Sequence, residues 1–592
     1  LAKYFIDFCK DESCGQCTPC RIGTTRMLEV LERITEGEAT KEDIDLLLEM
    51  GERIKDSSFC GLGQSAPNPV LSTLRYFAKE YKKHIEEGYC EASVCATLFN
   101  SPCQNSCPAN VDVPIYIDLI RQGKYKEAYK VIQQENPLVL ICGRVCYNLC
   151  ENSCNRTSMD EALAIRELKR FISDYLLKEE GGFPVPEIEE EKNKEIAIVG
   201  SGPSGLTAAF YLRKKGYQVT VYEALPVVGG MLAAGIPEYR LPKDLLNEEI
   251  AVLTTMGVDI RVDTKVGEDI SLEELKDQGY WAVYLAVGAH VDRLPGIEGE
   301  DLDGVYSAID LLKDINLGRN VDMEDKKVAI IGGGNAAIDI ARNIVRLGAE
   351  EVNIVYRRTK KEMPAHSEEI EEAEYEQVKM HCQVNPLKII GEDGRVSGLE
   401  CIEIKGGKFD KSGRRKPVPV EGSNFALDVD VVISAIGQNV DDSFNQDGLK
   451  IEMNDGSLIK VNDDHSTNIS WIFAGGDCVT GPSTVVESIQ QGKEAASSID
   501  KYLGGDGEVV DKKELKRKLS GEILQEEKHR VKMPTIRIDD ENVEVEIGKT
   551  ILEACEKIGK EIPTLCYLAE INEKKMFKIS IEKNKKIENM NV

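Results

Sequence analysis

The spacing of apolar residues divides the chain into a helical N-terminal part and a longer part in which strands and helices alternate. In residues 1–88 apolar positions recur at steps of three and four, as in Met27, Leu28 and Leu31, which is the period of an amphipathic helix. Residues 89–178 continue this pattern, with an amphipathic stretch at 115–133 between two cysteine-rich loops. We therefore predict two consecutive all-α regions.

From residue 195 short apolar strands are followed by glycine-rich turns and helices. This βαβ alternation predicts a parallel sheet covered by helices. It occurs twice, at 195–223 and 327–358, so we expect two Rossmann-like nucleotide-binding domains. The Gly-, Pro- and acid-rich segment 179–194 predicts a linker before them. After them we expect a charged connector, a β-like segment at 535–545 and a helix at about 552–558.

Composition narrows the classes of partner. The chain has 592 residues, and 103 acidic against 74 basic residues give a net charge of −29. A negative field repels nucleic acid backbones and anionic lipids. No apolar run approaches the roughly 18 to 20 residues of a membrane helix, and the first residues lack the features of a signal peptide. We expect a cytoplasmic protein without nucleic acid or membrane partners.

A glycine-rich motif follows the first predicted strand, 196–199. Its glycines permit a tight turn and bring a pyrophosphate close to the free amides of a helix N-terminus. Glu223 closes the second strand, where a carboxylate accepts hydrogen bonds from an adenosine ribose. This register predicts a dinucleotide site rather than an ordinary turn. The motif residues are Gly200, Ser201, Gly202, Pro203, Ser204 and Gly205.

A second glycine motif follows the strand 328–331, but its second strand, 352–356, ends in Arg357 and Arg358 instead of an acid. Arginine at that position matches a 2′-phosphate through charge-assisted hydrogen bonds, so this domain is predicted to prefer NADP(H). The alternative is a solvated basic pair at a strand end. The motif residues are Gly332, Gly333, Gly334, Asn335, Ala336 and Ala337.

Further motifs carry a resemblance to a known family. Residues 228–242 and Met363, Pro364 and Ala365 resemble the small subunit of glutamate synthase. They also resemble the FAD and NADPH half of dihydropyrimidine dehydrogenase and the large subunit of NADH-dependent ferredoxin:NADP oxidoreductase. The resemblance spans roughly residues 89–503 and implies FAD at the first site, with the NADP(H) domain inserted in the FAD domain. It adds to the cofactor site Gly230, Met231, Leu232, Arg240, Gly476, Asp477 and Thr484.

Cysteine is concentrated at the start of the chain, where 13 of the 18 precede residue 155. Close spacing in an intracellular chain favours metal binding over disulfides. Cys14, Cys17 and Cys20 provide three ligands of a [4Fe-4S] cluster, and Cys60 is the natural fourth. The arrangement resembles the C-terminal cluster domain of the NADH-oxidising flavoprotein subunit of respiratory complex I and soluble hydrogenases. A zinc site is the alternative.

Eight further cysteines suit two more [4Fe-4S] clusters, which makes three in all. The resemblance implies one cluster on Cys90, Cys95, Cys103 and Cys154, and another on Cys107, Cys146 and Cys150. Its relatives supply a Gln or Glu as last ligand, but Lys169 aligns there and a protonated lysine has no lone pair to donate. Cys142 is the expected replacement. The residues Cys9, Cys382, Cys401 and Cys478 have no spaced partner and are expected to be small buried hydrophobes.

Both ends of the chain resemble parts of larger domains. Residues 547–568 are similar to the opening of a plant-type [2Fe-2S] domain, but no cysteine follows Cys566, so no cluster is expected there. The FMN- and NADH-binding domain that precedes the N-terminal cluster region in complex I-type subunits is missing too. These features imply a larger complex whose other subunits carry FMN, NADH and further iron–sulfur clusters.

The predicted fold is multidomain, with N-terminal all-α iron–sulfur domains, two α/β Rossmann-like domains and a partial ferredoxin-like C-terminal segment. The domains are expected at 1–88 and 89–178 (iron–sulfur), 179–194 (linker), 195–315 with 440–505 (FAD), 316–439 (NADP(H)), 506–532 (connector) and 533–592 (ferredoxin-like).

The predicted function is hydride exchange between NADP(H) and FAD, with single electrons relayed through the clusters to partner subunits. The resemblance implies an anaerobic, electron-bifurcating transhydrogenase or hydrogenase complex, with ferredoxin as an indirect partner. Because the cofactors perform the chemistry, no acid–base catalytic residue is predicted. One alternative is a glutamate synthase small subunit-like donor, which residues 1–88 oppose. The other is a non-catalytic electron-wiring scaffold, which the intact glycine motifs oppose.

Overall fold

The computed structural model describes residues 2–37, 39–87, 90, 95, 101–409, 415–445, 448–454 and 457–510, together with strands at 535–538, 541–544, 578–583 and 586–591. The chain divides into two compact units, Leu1–Val510 and Asp511–Val592. None of the described helices has both the length and the apolar character needed to cross a membrane.

The first region is a helical bundle, as the spacing of its apolar residues predicts. Ile6, Met27, Leu47 and Val70 are fully buried in its core. A π-helical turn, Lys83–Glu87, follows the last helix. The helices are α1 Ala2–Asp11, α2 Thr18–Glu36, α3 Glu42–Ser57, α4 Gly61–Ser65, α5 Asn68–Tyr76 and α6 Ala78–Lys82.

The second region is also helical, but the single amphipathic stretch predicted at 115–133 is two helices. Gly123, with φ of 76°, turns the chain between them. A Cβ atom on Gly143 would lie 2.8 Å from the backbone nitrogen of Arg170, so two of the helices pack backbone against backbone. The helices are α7 Pro102–Asn105, α8 Val113–Arg121, α9 Tyr125–Glu135, α10 Val139–Val145, α11 Leu149–Asn152 and α12 Ile165–Tyr175.

The remainder of the first unit alternates strands and helices. Its strands are β1 Glu195–Val199, β2 Gln218–Tyr222, β3 Asp259–Arg261, β4 Ala282–Leu285, β5 Val291–Asp292, β6 Val305–Ser307, β7 Lys327–Ile331, β8 Glu351–Tyr356, β9 Lys379–Cys382, β10 Val384–Glu392, β11 Arg395–Phe409, β12 Arg415–Pro419, β13 Phe425–Leu427, β14 Val431–Ser434, β15 Gln438–Asn439 and β16 Ile472–Ala474. Its helices are α13 Pro203–Lys214, α14 Met231–Ala234, α15 Lys243–Thr255, α16 Leu272–Asp277, α17 Ala308–Asn316, α18 Asn335–Arg346, α19 Ser367–Tyr375, α20 Asp477–Thr480 and α21 Val485–Tyr502.

Two five-stranded parallel sheets carry the glycine motifs, in the orders β16-β4-β1-β2-β3 and β6-β14-β7-β8-β9. Strands β10 to β13 form an antiparallel sheet beside the second. Strand β6 pairs with β14, so the second sheet starts before the predicted domain division at 315/316. A strand of three residues is too short to show a period, which is why the pattern missed it.

The predicted linker has no helix or strand at 181–194, yet it lies against the first α/β domain. The Glu189 amide donates to the Lys214 carbonyl at 2.8 Å, and the Lys192 amide donates to the Gly216 carbonyl at 2.7 Å. Arg213 also pairs with Glu191. These contacts hold the segment against the domain, although its composition alone predicts a linker without such contacts.

The second unit contains an antiparallel sheet in the order β18-β17-β19-β20. Its strands are β17 Thr535–Ile538, β18 Glu541–Glu544, β19 Lys578–Lys583 and β20 Lys586–Asn591. Two of them lie in the predicted β-like segment. The connector at 511–532, the helix predicted at 552–558, Cys555 and Cys566 lie outside the described residues.

Candidate functional site

A cavity of about 830 Å³ lies between the carboxyl ends of the two parallel sheets. Ligands of open α/β sheets bind at this end of the strands. The structure brings most predicted cofactor residues to its wall, and six lie outside the lining, namely Gly205, Gly332, Gly333, Ala337, Arg357 and Arg358. The lining includes Gly200, Ser201, Gly202, Pro203, Ser204, Glu223, Gly230, Met231, Leu232, Arg240, Gly334, Asn335, Ala336, Gly476, Asp477 and Thr484.

The first glycine loop packs tightly on one side and leaves space on the other. Gly200 has φ of 103°, and a Cβ atom there would lie 2.3 Å from the Ala286 carbonyl oxygen. A Cβ atom on Gly205 would lie 2.0 Å from the Gly200 carbonyl oxygen, whereas one on Gly202 would meet no atom within 4 Å. Helix α13 begins here without a side-chain cap. Open space beside uncapped amides fits a pyrophosphate.

Glu223, which is predicted to contact a ribose, is hydrogen-bonded within the protein. Its carboxylate accepts hydrogen bonds from the Ser201 amide at 2.9 Å, the Ser201 hydroxyl at 2.5 Å and the Leu225 amide at 2.8 Å. The Ser201 hydroxyl accepts in turn from the Gly229 amide at 2.9 Å. The buried carboxylate therefore holds the glycine loop to the segment that leads into α14.

The returning segment lies against the first glycine loop. A Cβ atom on Gly476, which has φ of 79°, would lie 3.0 Å from the Ser204 Cβ. Asp477 accepts from the Ser483 amide at 3.2 Å and hydroxyl at 3.0 Å, and burial raises the pKa of its carboxyl. The Thr484 hydroxyl caps α21 by accepting from the Glu487 amide at 3.3 Å. This capping role accompanies its predicted place at the cofactor.

The second glycine loop repeats the geometry of the first. A Cβ atom on Gly332 would lie 2.2 Å from the Ala435 carbonyl oxygen, whereas one on Gly334 would meet only Pro364 at 4.0 Å. Helix α18 begins after Gly334 without a side-chain cap. The Asn335 side chain accepts from the His366 amide at 3.1 Å. Open space and uncapped amides again fit a phosphate.

The two arginines predicted to bind a 2′-phosphate, Arg357 and Arg358, follow the end of β8. Arg357 is exposed and Arg358 is half-buried. The Nε of Arg358 is buried and has no hydrogen-bond partner among the described residues. A buried donor without an acceptor is costly, and a phosphate oxygen would satisfy it. The residues present therefore fit NADP(H).

Arg240 joins the two α/β domains. Its Nη1 donates to both carboxylate oxygens of Asp339 at 2.8 Å, and its Nε lies 3.2 Å from Glu369. Burial raises the pKa of Asp339 to about 6, although the Arg240 guanidinium opposes this. The predicted cofactor residue therefore also links the loop before α15 to α18 and α19.

Several lining residues were missed by the sequence analysis. Ala286, Val287, Gly288 and His290 follow β4, and a glycine turn at the carboxyl end of a parallel strand is the signal that could have found them. Burial lowers the pKa of His290, which favours a neutral imidazole.

The second helical region also reaches the cavity, through Tyr147. The Tyr147 ring stacks on His366 with centroids 5.2 Å apart. Its neighbour in the chain, Cys146, is a predicted cluster ligand. The predicted cluster region and the cavity therefore adjoin.

Of the four cysteines of the first predicted cluster, Cys14, Cys17 and Cys60 lie on two loops of the bundle, and Cys20 lies in the first turn of α2. Cys17 and Cys60 precede the first turns of α2 and α4, and neither helix has a side-chain cap. The backbone amides of Phe59 and Cys20 lower the pKa of the Cys17 thiol. The Ser13 hydroxyl lies 3.3 Å from the Cys20 sulfur. Helix N-termini and amide donors favour the thiolate form that binds iron.

Lys169 is 3% exposed and lies near four thiols of the second region. Burial lowers the pKa of its ammonium, but Cys107, Cys146, Cys142 and Cys150 outweigh this and raise it. These four cysteines therefore lie around the Lys169 side chain, Cys142 and Cys150 buried and Cys107 and Cys146 partly buried. Burial raises the pKa of the Cys150 thiol to about 12, which Lys169 opposes.

The other four cysteines of this region have different neighbours. The Cys95 sulfur lies 3.4 Å from the Nε2 of His84, and Cys90 lies beside both. The Cys103 sulfur lies 3.0 Å from the Ser101 hydroxyl. A hydrogen bond of 2.6 Å between Ser106 and Ser153 joins the loops of Cys107 and Cys154. Of the four unspaced cysteines, Cys401 and Cys478 are buried, whereas Cys9 and Cys382 are only partly buried.

Three parts of the chain match known protein families. Residues 194–492 match the pyridine nucleotide-disulphide oxidoreductase family. Residues 1–84 match the iron–sulfur binding region of the NADH-ubiquinone oxidoreductase F subunit. Residues 73–181 match the 4Fe-4S cluster domain II of dihydropyrimidine dehydrogenase. These matches confirm the predicted resemblance.

Curated relatives extend over most of the chain. The beta subunit of the NADP(+)-dependent formate dehydrogenase of Moorella thermoacetica is 40% identical, over 83% of this chain and 78% of the relative. The beta subunit of the NADPH-Fe(3+) oxidoreductase of Geobacter sulfurreducens is 40% identical, over 83% of this chain and 77% of the relative. The glutamate synthase [NADPH] small chain of Escherichia coli is 33% identical, over 74% of this chain and 96% of the relative. The chain therefore belongs to the pyridine nucleotide-disulphide oxidoreductase family, in the glutamate synthase small subunit-like group, and carries N-terminal iron–sulfur regions.

Proposed function

We propose that this chain is the NADP(H)-dependent flavin and iron–sulfur subunit of a multisubunit oxidoreductase. It exchanges hydride between NADP(H) and FAD and relays single electrons through [4Fe-4S] clusters to other subunits. The observation that carries the proposal is the cavity of about 830 Å³, because both glycine loops and Tyr147 of the iron–sulfur region line it.

The chain's own groups bind and orient the two nucleotides. The amides at the start of α13, beside the open space at Gly202, would hold the FAD pyrophosphate. The start of α18 would hold the NADP(H) pyrophosphate, and Arg357 and Arg358 its 2′-phosphate. FAD, when bound, supplies the exchange between hydride transfer and single-electron transfer. The second sheet's strands fall between β4 and β16 in the chain, which supports an NADP(H) domain inserted in the FAD domain.

Two [4Fe-4S] clusters are proposed on the thiols that the structure supports most directly. Uncapped helix starts and amide donors support Cys14, Cys17, Cys20 and Cys60 for the first. The shared surroundings of Lys169 support Cys107, Cys142, Cys146 and Cys150 for the second.

Partner subunits are proposed as the source or acceptor of the single electrons. The two relatives at 40% identity are each named as a beta subunit, which supports a complex. We propose that its other subunits carry FMN, NADH and further clusters, as in an electron-bifurcating transhydrogenase in which ferredoxin is an indirect partner. The match of residues 1–84 to a respiratory iron–sulfur region favours this assembly over a glutamate synthase donor.

The test is anaerobic purification of the chain with its partner subunits, followed by assay of FAD and iron and by rapid mixing with NADPH. We expect about one FAD per chain and fast bleaching of both flavin and cluster absorbance. Deletion of partner subunits should leave bleaching by NADPH intact. A chain that binds no FAD, or whose FAD stays oxidised with NADPH, would establish the non-catalytic scaffold instead.

A further inference from the structure

Three metal-ligating side chains meet where the bundle ends and the second helical region begins. His84 lies in the turn Lys83–Glu87, and its Nε2 is 3.4 Å from the Cys95 sulfur. The ligand atoms of His84, Cys90 and Cys95 all lie within 4.8 Å of one another. Within the described part of the chain, no other group of three His, Cys, Asp or Glu residues meets this condition.

These separations suit a single ion better than a cluster. Bond lengths of about 2.3 Å to sulfur and about 2.0 Å to nitrogen put two ligands of a tetrahedral zinc ion about 3.5 Å apart. In a [4Fe-4S] cube each ligand binds a different iron at a different corner, so the ligand atoms lie farther apart. In the described structure no three of Cys14, Cys17, Cys20 and Cys60 approach as closely as His84, Cys90 and Cys95 do.

The imidazole of His84 is oriented as a ligand. Its Nδ1 lies 2.7 Å from the Glu80 carbonyl oxygen, and a carbonyl accepts a hydrogen bond only from a protonated nitrogen. The proton therefore resides on Nδ1, and the lone pair of Nε2 points to the side where Cys95 lies. Metal-bound histidines typically donate their other ring N–H to such a carbonyl.

The ligand types select among metals. One imidazole nitrogen and two thiolates form a set that zinc favours, whereas magnesium and calcium require oxygen ligands. Cys90 is buried, and His84 and Cys95 are half-buried. The described residues supply three of the four positions of a tetrahedral ion.

We propose that His84, Cys90 and Cys95 bind one zinc ion that is separate from the iron–sulfur clusters. The ion would connect the bundle, through the turn Lys83–Glu87, to the region that begins at residue 101. Cys90 and Cys95 are two of the four thiols assigned to the third predicted cluster. If they bind zinc, only Cys103 and Cys154 remain for that cluster. The chain would hold two cubes and one zinc rather than three cubes.

The test is elemental analysis of the full complex, purified anaerobically, for wild type and single variants. We expect His84→Ala and Cys90→Ser each to lose about one zinc ion per chain and to keep the wild-type iron and FAD. His84→Cys replaces one zinc ligand with another and should retain the zinc. Cys382→Ser, a partly buried cysteine of β9, is the matched control that keeps both metals.

Two further measurements keep the result unambiguous. Cys60→Ser should lose about four irons and no zinc, which shows that a lost cube is detectable. Growth with cobalt should place Co²⁺ in the site, with visible bands of tetrahedral thiolate ligation that disappear in His84→Ala. Loss of about four irons in Cys90→Ser and Cys95→Ser, with zinc absent from the wild type, would overturn the proposal in favour of a cube. Bleaching by NADPH tests the proposed function separately.

Discussion

At the residue scale, nucleotide preference should depend on Arg358. Replacement of Arg358 by Gln removes the charge that a 2′-phosphate needs and leaves β8 unchanged. Because a hydrogen bond to a charged group contributes about 1.5 to 3 kcal/mol, the Kd for NADPH should rise roughly 10- to 100-fold. Stopped-flow flavin reduction measures this. Arg319→Gln, an exposed arginine that pairs with Asp314 at 2.7 Å, is the control, and unchanged NADPH affinity in Arg358→Gln would contradict the assignment.

Lys169 should influence the midpoint potential of a cluster, because its buried charge lies among four predicted cluster ligands. Replacement by Met removes that charge and keeps a side chain of similar length. The reduced cluster carries one more negative charge, so its midpoint potential should fall, by on the order of 50 to 100 mV. A redox titration followed by electron paramagnetic resonance measures the shift. The control is Arg170→Gln, at the exposed residue next to Lys169. An unchanged midpoint potential in Lys169→Met would exclude the effect.

At the scale of elements, Asp500 of α21 ties the linker to the first α/β domain. Its buried carboxylate accepts from Tyr217 at 2.8 Å, Lys192 at 3.1 Å and the Gly507 amide at 2.8 Å. Burial raises the pKa of Asp500, but these donors outweigh it and hold the pKa below its usual value. The stabilisation is therefore present above the unfolded pKa of about 3.9 and is lost as the pH falls through the folded value.

Asp500→Asn should accordingly lower the free energy of unfolding by about 1.5 to 3 kcal/mol at neutral pH. Its difference from wild type should begin to shrink below about pH 4, where the carboxyl of the unfolded wild-type chain becomes protonated, and should shrink further as the pH falls through the lower pKa of the folded state. Urea unfolding followed by circular dichroism provides both values. Asp506→Asn, at an exposed carboxylate 3.2 Å from Lys215, should change little. A difference that does not vary with pH would mean that the carboxylate charge is not involved.

At the scale of the whole first unit, Arg240 couples the cavity loop to the helices of the second α/β domain. Arg240→Met leaves Asp339 buried without its partner, which costs roughly 3 to 5 kcal/mol. The resulting misalignment should slow flavin reduction by NADPH roughly 10- to 100-fold. Urea unfolding and stopped-flow absorbance measure the two effects.

The double variant Arg240→Met with Asp339→Asn provides the matched comparison, because it removes both charges. It should recover part of the lost stability. Arg395→Gln, which breaks an exposed pair with Asp303, should affect neither stability nor rate. Equal stability of the single and double variants would contradict a coupling between the two charges.

Local signals made much of this protein predictable. Some features can be recognised in the sequence because each is defined by residues close together in the chain. They are the glycine turns, the strands around them and the arginines after β8. The family matches confirm the resemblance that these motifs carry. Short or interrupted helices and strands were harder to predict from the sequence. The three residues of β6 show no period, and Gly123 divides a stretch whose apolar pattern continues across it.

What the sequence by itself determined is the class of protein, the two nucleotide motifs and the concentration of thiols at the start of the chain, because composition and short-range spacing carry that information. Only the tertiary structure decided which distant groups meet. It joined Arg240 to Asp339, Asp500 to Lys192, and Cys95 to the imidazole of His84, and it placed the charge of Lys169 near Cys107. These contacts depend on how helices and sheets pack, and buried charges and metal-ligating atoms acquire partners only when packing brings them within a few ångströms.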